Sequence, residues 1–197
     1  MAYLYYMKKI FLCIACILAI NTARAQKDLL QSDENNKYVY YQVVDKKDFT
    51  ADTLYNRALA FMKSQELKAS GKESAGTIIA KDKTVLYTNS LVSKKEGGEV
   101  TYTFTIDVKD QKYRFKLGDF VFKPYKINRY GNMVTQPGIE FPLEKIWTKY
   151  SEKDTDAYLD QVGAFCKTTA SRLIKYMDRV PVLRTVEPVK KVATDKW

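Results

Sequence analysis

The chain has 197 residues, no histidine, three cysteines and a formal net charge of +10. Without imidazole, Ser-His-Asp and Cys-His nucleophiles, His-ligated zinc and most neutral-pH general bases are excluded. The length suits one ordinary domain, large enough to bury a core without disulfides or metals.

Met7-Lys8-Lys9 opens a short cationic stretch, Ile10 to Ile20 is uncharged and apolar, and Ala23-x-Ala25 offers small side chains before Gln26. This is the pattern of an export signal cut by a leader peptidase. It predicts a removable leader over residues 1–25, with Met7 as an alternative start. The apolar run is too short to span about 30 Å of hydrocarbon, so no stable membrane span is expected. Lipidation at Cys16 would need a leucine where Cys13 stands and would halve the apolar run. Cleavage removes three cations and no acid, leaving +7, and leaves Cys166 as the one cysteine, so no intrachain disulfide can form. The remaining lysines are scattered, in pairs such as Lys46-Lys47, Lys94-Lys95 and Lys190-Lys191. Scattered lysine makes a solvated surface with weak attraction for anionic envelope components.

Residues 26–37 are polar and read as a flexible arm. Tyr38 to Val44 is rich in aromatic and β-branched residues and predicts a strand. Thr50 or Asp52 caps a helix that carries Leu54, Ala58, Phe61 and Gln65 at helical spacing and ends near Leu67, before Ser70-Gly71. Ala75 to Ala80 and Thr84 to Thr88 are two apolar runs parted by Lys81-Asp82-Lys83, a hairpin or a sharply broken strand. Lys94 to Gly98 reads as a turn. Val100, Tyr102, Phe104, Ile106 and Val108 then alternate with Thr101, Thr103, Thr105 and Asp107, a strand with one buried face. After Asp110-Gln111 the alternation resumes with Tyr113, Phe115 and Leu117 inward, and Arg114 and Lys116 outward. Its phase flips past Gly118, where Phe120 and Phe122 become the large apolar positions, which predicts a β-bulge or bend.

Residues 127–150 contain Gly131, Pro137-Gly138, Pro142 and several aromatics without a period, an ordered loop insertion. Thr155 or Asp156 caps a long second helix striped by Leu159, Val162, Cys166, Leu173 and Met177, and Pro181 ends it. Residues 180–197 read as a loose tail, so the folded domain spans 38–179. The order strand, helix, four strands, helix predicts an α+β two-layer sandwich: an antiparallel five-stranded sheet with both helices on one face. The other face stays open.

Three segments carry a family likeness: Asp52 to Phe61, Glu73 to Ala80, and Tyr102 to Phe115. Over about residues 38–125 the chain resembles the small exported bacterial proteins grouped as a domain of unknown function with a TBP-like fold. The resemblance implies the strand-helix-four-strand-helix layout. It brings no catalytic residues to carry over and no nucleic-acid binding, since fold is not function.

Cys166 sits on a helical stripe and reads as core rather than a reactive thiol. Asp107, Asp110 and Asp119 around one hairpin, and Glu140 and Glu144 in the insertion, are the carboxylates a histidine-free hydrolase would draw on. No phosphate loop, calcium loop or Ser-x-x-Lys pair stands out, so no cofactor and no metal are expected. The sharpest binding candidate is the open face. Thr101, Thr103, Thr105, Arg114 and Lys116 form a polar cationic surface there, joined by Tyr38 or Tyr40. These features point to an exported, periplasmic or cell-surface, non-enzymatic module for an envelope protein, peptide or glycan, with no nucleic-acid partner. Two alternatives stand beside it: a carboxylate-dependent hydrolase of envelope glycan or peptide, and a structural component of an envelope assembly using the tail.

Overall fold

The computed structural model describes residues 29–72, 76–89 and 94–178. The expected leader, the cleavage site at Ala23, Ala25 and Gln26, and the tail over 180–197 lie outside the described residues.

Eight strands form the sheet: β1 (Gln31–Ser32), β2 (Tyr38–Asp45), β3 (Ala69–Lys72), β4 (Thr77–Asn89), β5 (Lys94–Lys109), β6 (Lys112–Ile127), β7 (Met133–Thr135) and β8 (Phe141–Pro142). The spatial order is β1-β2-β6-β5-β4-β3, antiparallel throughout, with β7 and β8 also pairing β6. Helices α1 (Ala51–Ser64) and α2 (Glu152–Met177) complete an α+β fold of the predicted class.

Four departures account for eight strands where five were expected. The two runs around Lys81-Asp82-Lys83 are one strand, β4. Lys81 and Lys83 face outward, and Asp82, in the opposite phase, stays exposed to solvent and accepts from the Tyr102 hydroxyl at 3.2 Å. Ser70-Gly71 belongs to β3 rather than to a helix stop. The insertion contributes β7, β8 and a 3-10 helix (Leu143–Thr148) that buries Leu143 and Ile146. Within the segment read as an arm, Gln31 and Ser32 pair with Val39 and Tyr38.

Lys94 to Gly98 is strand, not turn. Its glycines are there for close packing. A Cβ on Gly97 would stand 2.4 Å from the Tyr158 hydroxyl, and one on Gly98 would stand 2.5 Å from the Lys123 carbonyl and 2.7 Å from the Phe122 ring. The expected bulge lies where predicted: Thr101 pairs Val121 and Thr103 pairs Gly118, so Tyr102 faces two residues. Asp119 takes the left-handed turn (φ 51°), while Gly118 admits Val39 at 3.3 Å from the position a Cβ would take.

The Thr50 hydroxyl caps α1 by accepting the Thr53 N–H. The helix stops at Ser64, three residues before Leu67. Glu66 adopts φ 57°, and the Leu67 and Glu66 N–H groups return to the Met62 and Lys63 carbonyls. That closing pattern is a Schellman motif. The cap of α2 is Ser151, whose hydroxyl accepts the Asp154 N–H, so the helix begins a turn before Thr155. It ends at Met177, where Arg57 of α1 donates to the Met177 carbonyl and Asp178 pairs with Lys46.

Both helices pack on one face. Phe104 is fully buried and meets Phe61 of α1 and Phe115 edge-on at 6.3 and 6.4 Å, while Tyr102 meets Phe165 of α2 at 5.1 Å. Such pairs add about 0.5–1.5 kcal/mol each beyond the area they bury.

Candidate binding face

Register fixes the open face row by row. Beside the β5–β6 hairpin, Asp45, Lys112 and Lys109 pair across β2, β6 and β5; the first full row is Val43, Arg114, Asp107 and Thr77 on β2, β6, β5 and β4. The second is Tyr41, Lys116, Thr105 and Ile79. In the third, Thr103 stands between Gly118 and Lys81. The fourth, past the bulge, is Val121, Thr101 and Lys83, and the fifth is Lys123, Glu99 and Val85.

All five predicted residues therefore share one face, but they do not do the same work. Thr105, Arg114 and Lys116 lie together with Tyr41 and Asp107 around a concavity of about 190 Å³. A neighbouring concavity of about 320 Å³ shares Tyr41, Asp107 and Arg114 and adds Val43, Thr77, Lys109 and Lys112. Thr103 borders the gap left by Gly118. Thr101 stands beyond the bulge, and its hydroxyl donates to the Val121 carbonyl at 3.4 Å.

The expected tyrosines are on the wrong side. Tyr40 stacks on Phe115 at 6.4 Å under the helices, and Tyr38 packs against the same core. Tyr41 holds the open-face position. A run of Tyr-Val-Tyr-Tyr has aromatics in both phases, so alternation alone assigns neither; the pairing of Tyr41 with Lys116 does.

Asp107, read from the sequence as a hairpin carboxylate, belongs to this face with Tyr41 and Thr77, none of which was among the five expected binding residues. Its carboxylate accepts from Arg114 Nε at 2.8 Å and from the Thr77 hydroxyl at 2.7 Å. The hydrogen bond to Asp107 and the Asp107 charge, with a smaller contribution from Tyr41, raise the Arg114 pKa and keep it charged. The signal was present: Asp107 continues the threonine alternation and sits as far before the hairpin turn as Arg114 sits after it.

At the far end of the face, Glu99 is buried yet ionised. Burial pushes its carboxyl up, but the Lys83 ammonium at 2.8 Å and the Tyr125 hydroxyl at 2.9 Å outweigh that, and its pKa falls below the usual carboxylate range. Burial and the Glu99 bond push Tyr125 up to about 12.

The five carboxylates weighed for hydrolysis are each in a structural bond. Asp107 holds Arg114, Asp110 accepts the Ala51 N–H at 2.8 Å, and Asp119 pairs Lys37 at 3.2 Å. Glu140 pairs Lys123 at 3.3 Å, and Glu144 accepts the Tyr38 N–H at 2.7 Å. Cys166 is fully buried, and burial pushes its thiol up to about 12. Among the described residues no cluster of potential ligands gathers to hold a metal, and no helix is long and apolar enough to cross a membrane.

Residues 40–123 match the family described as a domain of unknown function (DUF4468) with TBP-like fold. The matched span runs from β2 through most of β6 and so includes the open face. Two solved structures share the architecture. A TBP-like protein from Parabacteroides distasonis ATCC 8503 superposes with a TM-score of 0.57 at 17% identity, covering 74% of this chain and 95% of that one. A DUF4468 family protein from Bacteroides ovatus ATCC 8483 gives 0.59 at 13% identity, covering 81% and 96%. At such identities the likeness shows the fold alone. Among curated proteins, none matches the chain.

Proposed function

We propose that this protein is an exported binding module, not an enzyme, and that its partner sits on the open face of β2, β6, β5 and β4. The observation that carries this reading is the pair of adjoining concavities walled by Tyr41, Asp107 and Arg114 on a face that no helix covers among the described residues. A sheet needs only one face packed to be stable. A shaped, charged and partly apolar second face is therefore available for recognition. The absence of histidine and the structural engagement of the five candidate carboxylates support a role without catalysis. Export rests on the leader pattern over residues 1–25 and places the module in the periplasm or on the cell surface.

Two experiments test this. N-terminal sequencing of protein recovered from fractionated cells is expected to read from Gln26 in the envelope or periplasmic fraction; an uncut chain in the cytosol refutes export. Substituting Thr103→Ala and Arg114→Gln together is expected to abolish a cross-linked partner of the wild-type protein and leave the melting temperature unchanged. Partners that all survive the double substitution would move recognition off this face.

A further inference from the structure

The first row of the open face has a hierarchy. The Thr77 hydroxyl donates to one Asp107 oxygen at 2.7 Å, and Arg114 Nε donates to the other at 2.8 Å. Tyr41 lines the same concavities as this guanidinium. A guanidinium has five N–H donors in a rigid fork. Asp107 engages it through Nε, so the two-pronged end that grips carboxylates is not consumed by that pair. Nor is the relay buried: the Arg114 side chain keeps 58% of its exposure. The arrangement fixes a cation in place on an open surface.

Charge and shape narrow what would meet it. Lys109, Lys112 and Lys116 surround Arg114, and Asp107 is the single carboxylate among the residues lining the two concavities. These four cations outnumber Asp107 and the Asp45 that pairs with Lys112 across the strands, and an incoming anion relieves their repulsion. Beside them Tyr41 and Val43 are 41% and 48% exposed and offer an apolar wall. A volume of about 320 Å³ is at the small-molecule end of ligand sites.

Resting on the reading of this face as a binding face, we infer that the groove takes a carboxylate carried on an apolar or ring body. The carboxylate docks on the Arg114 fork, the body lies over Tyr41 and Val43, and Thr77 and Asp107 are positioning residues.

The test uses the protein as the cell processes it and two probes of one shape, 3-phenylpropionate and its neutral amide, titrated by amide-resolved NMR. The acid is expected to shift Tyr41, Asp107 and Arg114 saturably, and to bind at least tenfold more tightly than the amide. Higher salt weakens the acid and leaves the amide unmoved. Arg114→Gln abolishes the preference. Arg114→Lys keeps the charge but loses the fork, and falls several-fold short of the wild type. Asp107→Asn and Thr77→Val weaken the acid alone, which a merely structural role would not do. Lys116→Gln, a change at an exposed position, lowers acid affinity several-fold. Equal binding of acid and amide, shifts that map elsewhere, or an unaffected Arg114→Gln overturns the inference. If acid and amide bind alike while the Thr103 and Arg114 double variant still loses its cross-linked partner, the ligand class falls and the binding face stands. If the acid docks as described but no partner depends on the face, the ligand class stands and the broader reading falls.

Discussion

Val100, Tyr102, Phe104, Ile106 and Val108 point from β5 into the helix-covered core, whereas Thr101, Thr103, Thr105 and Asp107, one residue out of phase, point to the open side. On the covered side a position asks for volume and apolarity, and neighbours on either helix accept any residue that fills the space. On the open side identical residues take different roles. Thr101 spends its hydroxyl on the Val121 carbonyl, while Thr105, two pairs along, lines a groove with Lys116 and Tyr41. The core is written in composition and period; the surface is written in register.

The sharpest way to break this contrast is on β5 itself. Phe104→Ala removes a fully buried ring that touches Phe61 and Phe115, and is expected to cost about 3–5 kcal/mol in chemical denaturation. A loss below about 1 kcal/mol would mean the helices do not depend on this face. Gly98→Ala comes next, at about 1–3 kcal/mol from overpacking. Its new methyl group would meet the Lys123 carbonyl at 2.5 Å, and a backbone atom yields less readily than the end of a side chain.

A third effect lies on the open side but depends on burial. Glu99 is 6% exposed, and its folded-state pKa is depressed, so its contribution is present at neutral pH and is lost as pH falls through the folded value. Glu99→Gln is expected to cost about 1–2 kcal/mol at neutral pH by weakening the bonds from Lys83 and Tyr125. The gap to the wild type should begin to narrow as pH falls through the ordinary carboxylate value, about 4.3, and close only below the depressed folded value. Acid and neutral melting curves of the two proteins measure it; a gap that widens in acid reverses the sign and refutes the ionised assignment.

How much was legible follows from the same division. The β5 and β6 alternation, the bulge after Gly118 and the Thr50 cap were readable, because each rests on local period or on one capping side chain. The continuity of β4 was not: Asp82 looks like a break until the Tyr102 hydroxyl is placed beside it, and that contact joins residues 20 apart. The start of α2 was hidden because its first turn, Glu152 to Thr155, has no apolar residue to set the phase. At the candidate groove, Thr105, Arg114 and Lys116 were readable as outward polar residues. Tyr41 was not, because its run carries aromatics in both phases, and Thr77 was not, because its place opposite Asp107 is set by the register of β4 against β5, between residues 30 apart.

The smallest predicted effect carries the most information about the contrast. Thr103→Ala with Arg114→Gln removes a half-buried hydroxyl and an exposed ion pair on the side opposite both helices. Exposed ion pairs contribute about 0.2–1 kcal/mol, and surface substitutions away from special features shift stability by about 0.5 kcal/mol or less. The pair together should therefore cost less than about 1 kcal/mol, several-fold below Phe104→Ala on the same strand. If the loss matched that of Phe104→Ala, the open face would be part of what holds the sheet together, and its groove would need no partner to explain it. A near-neutral result leaves Thr77, Asp107 and Arg114 as a hydrogen-bonded row that the fold does not require.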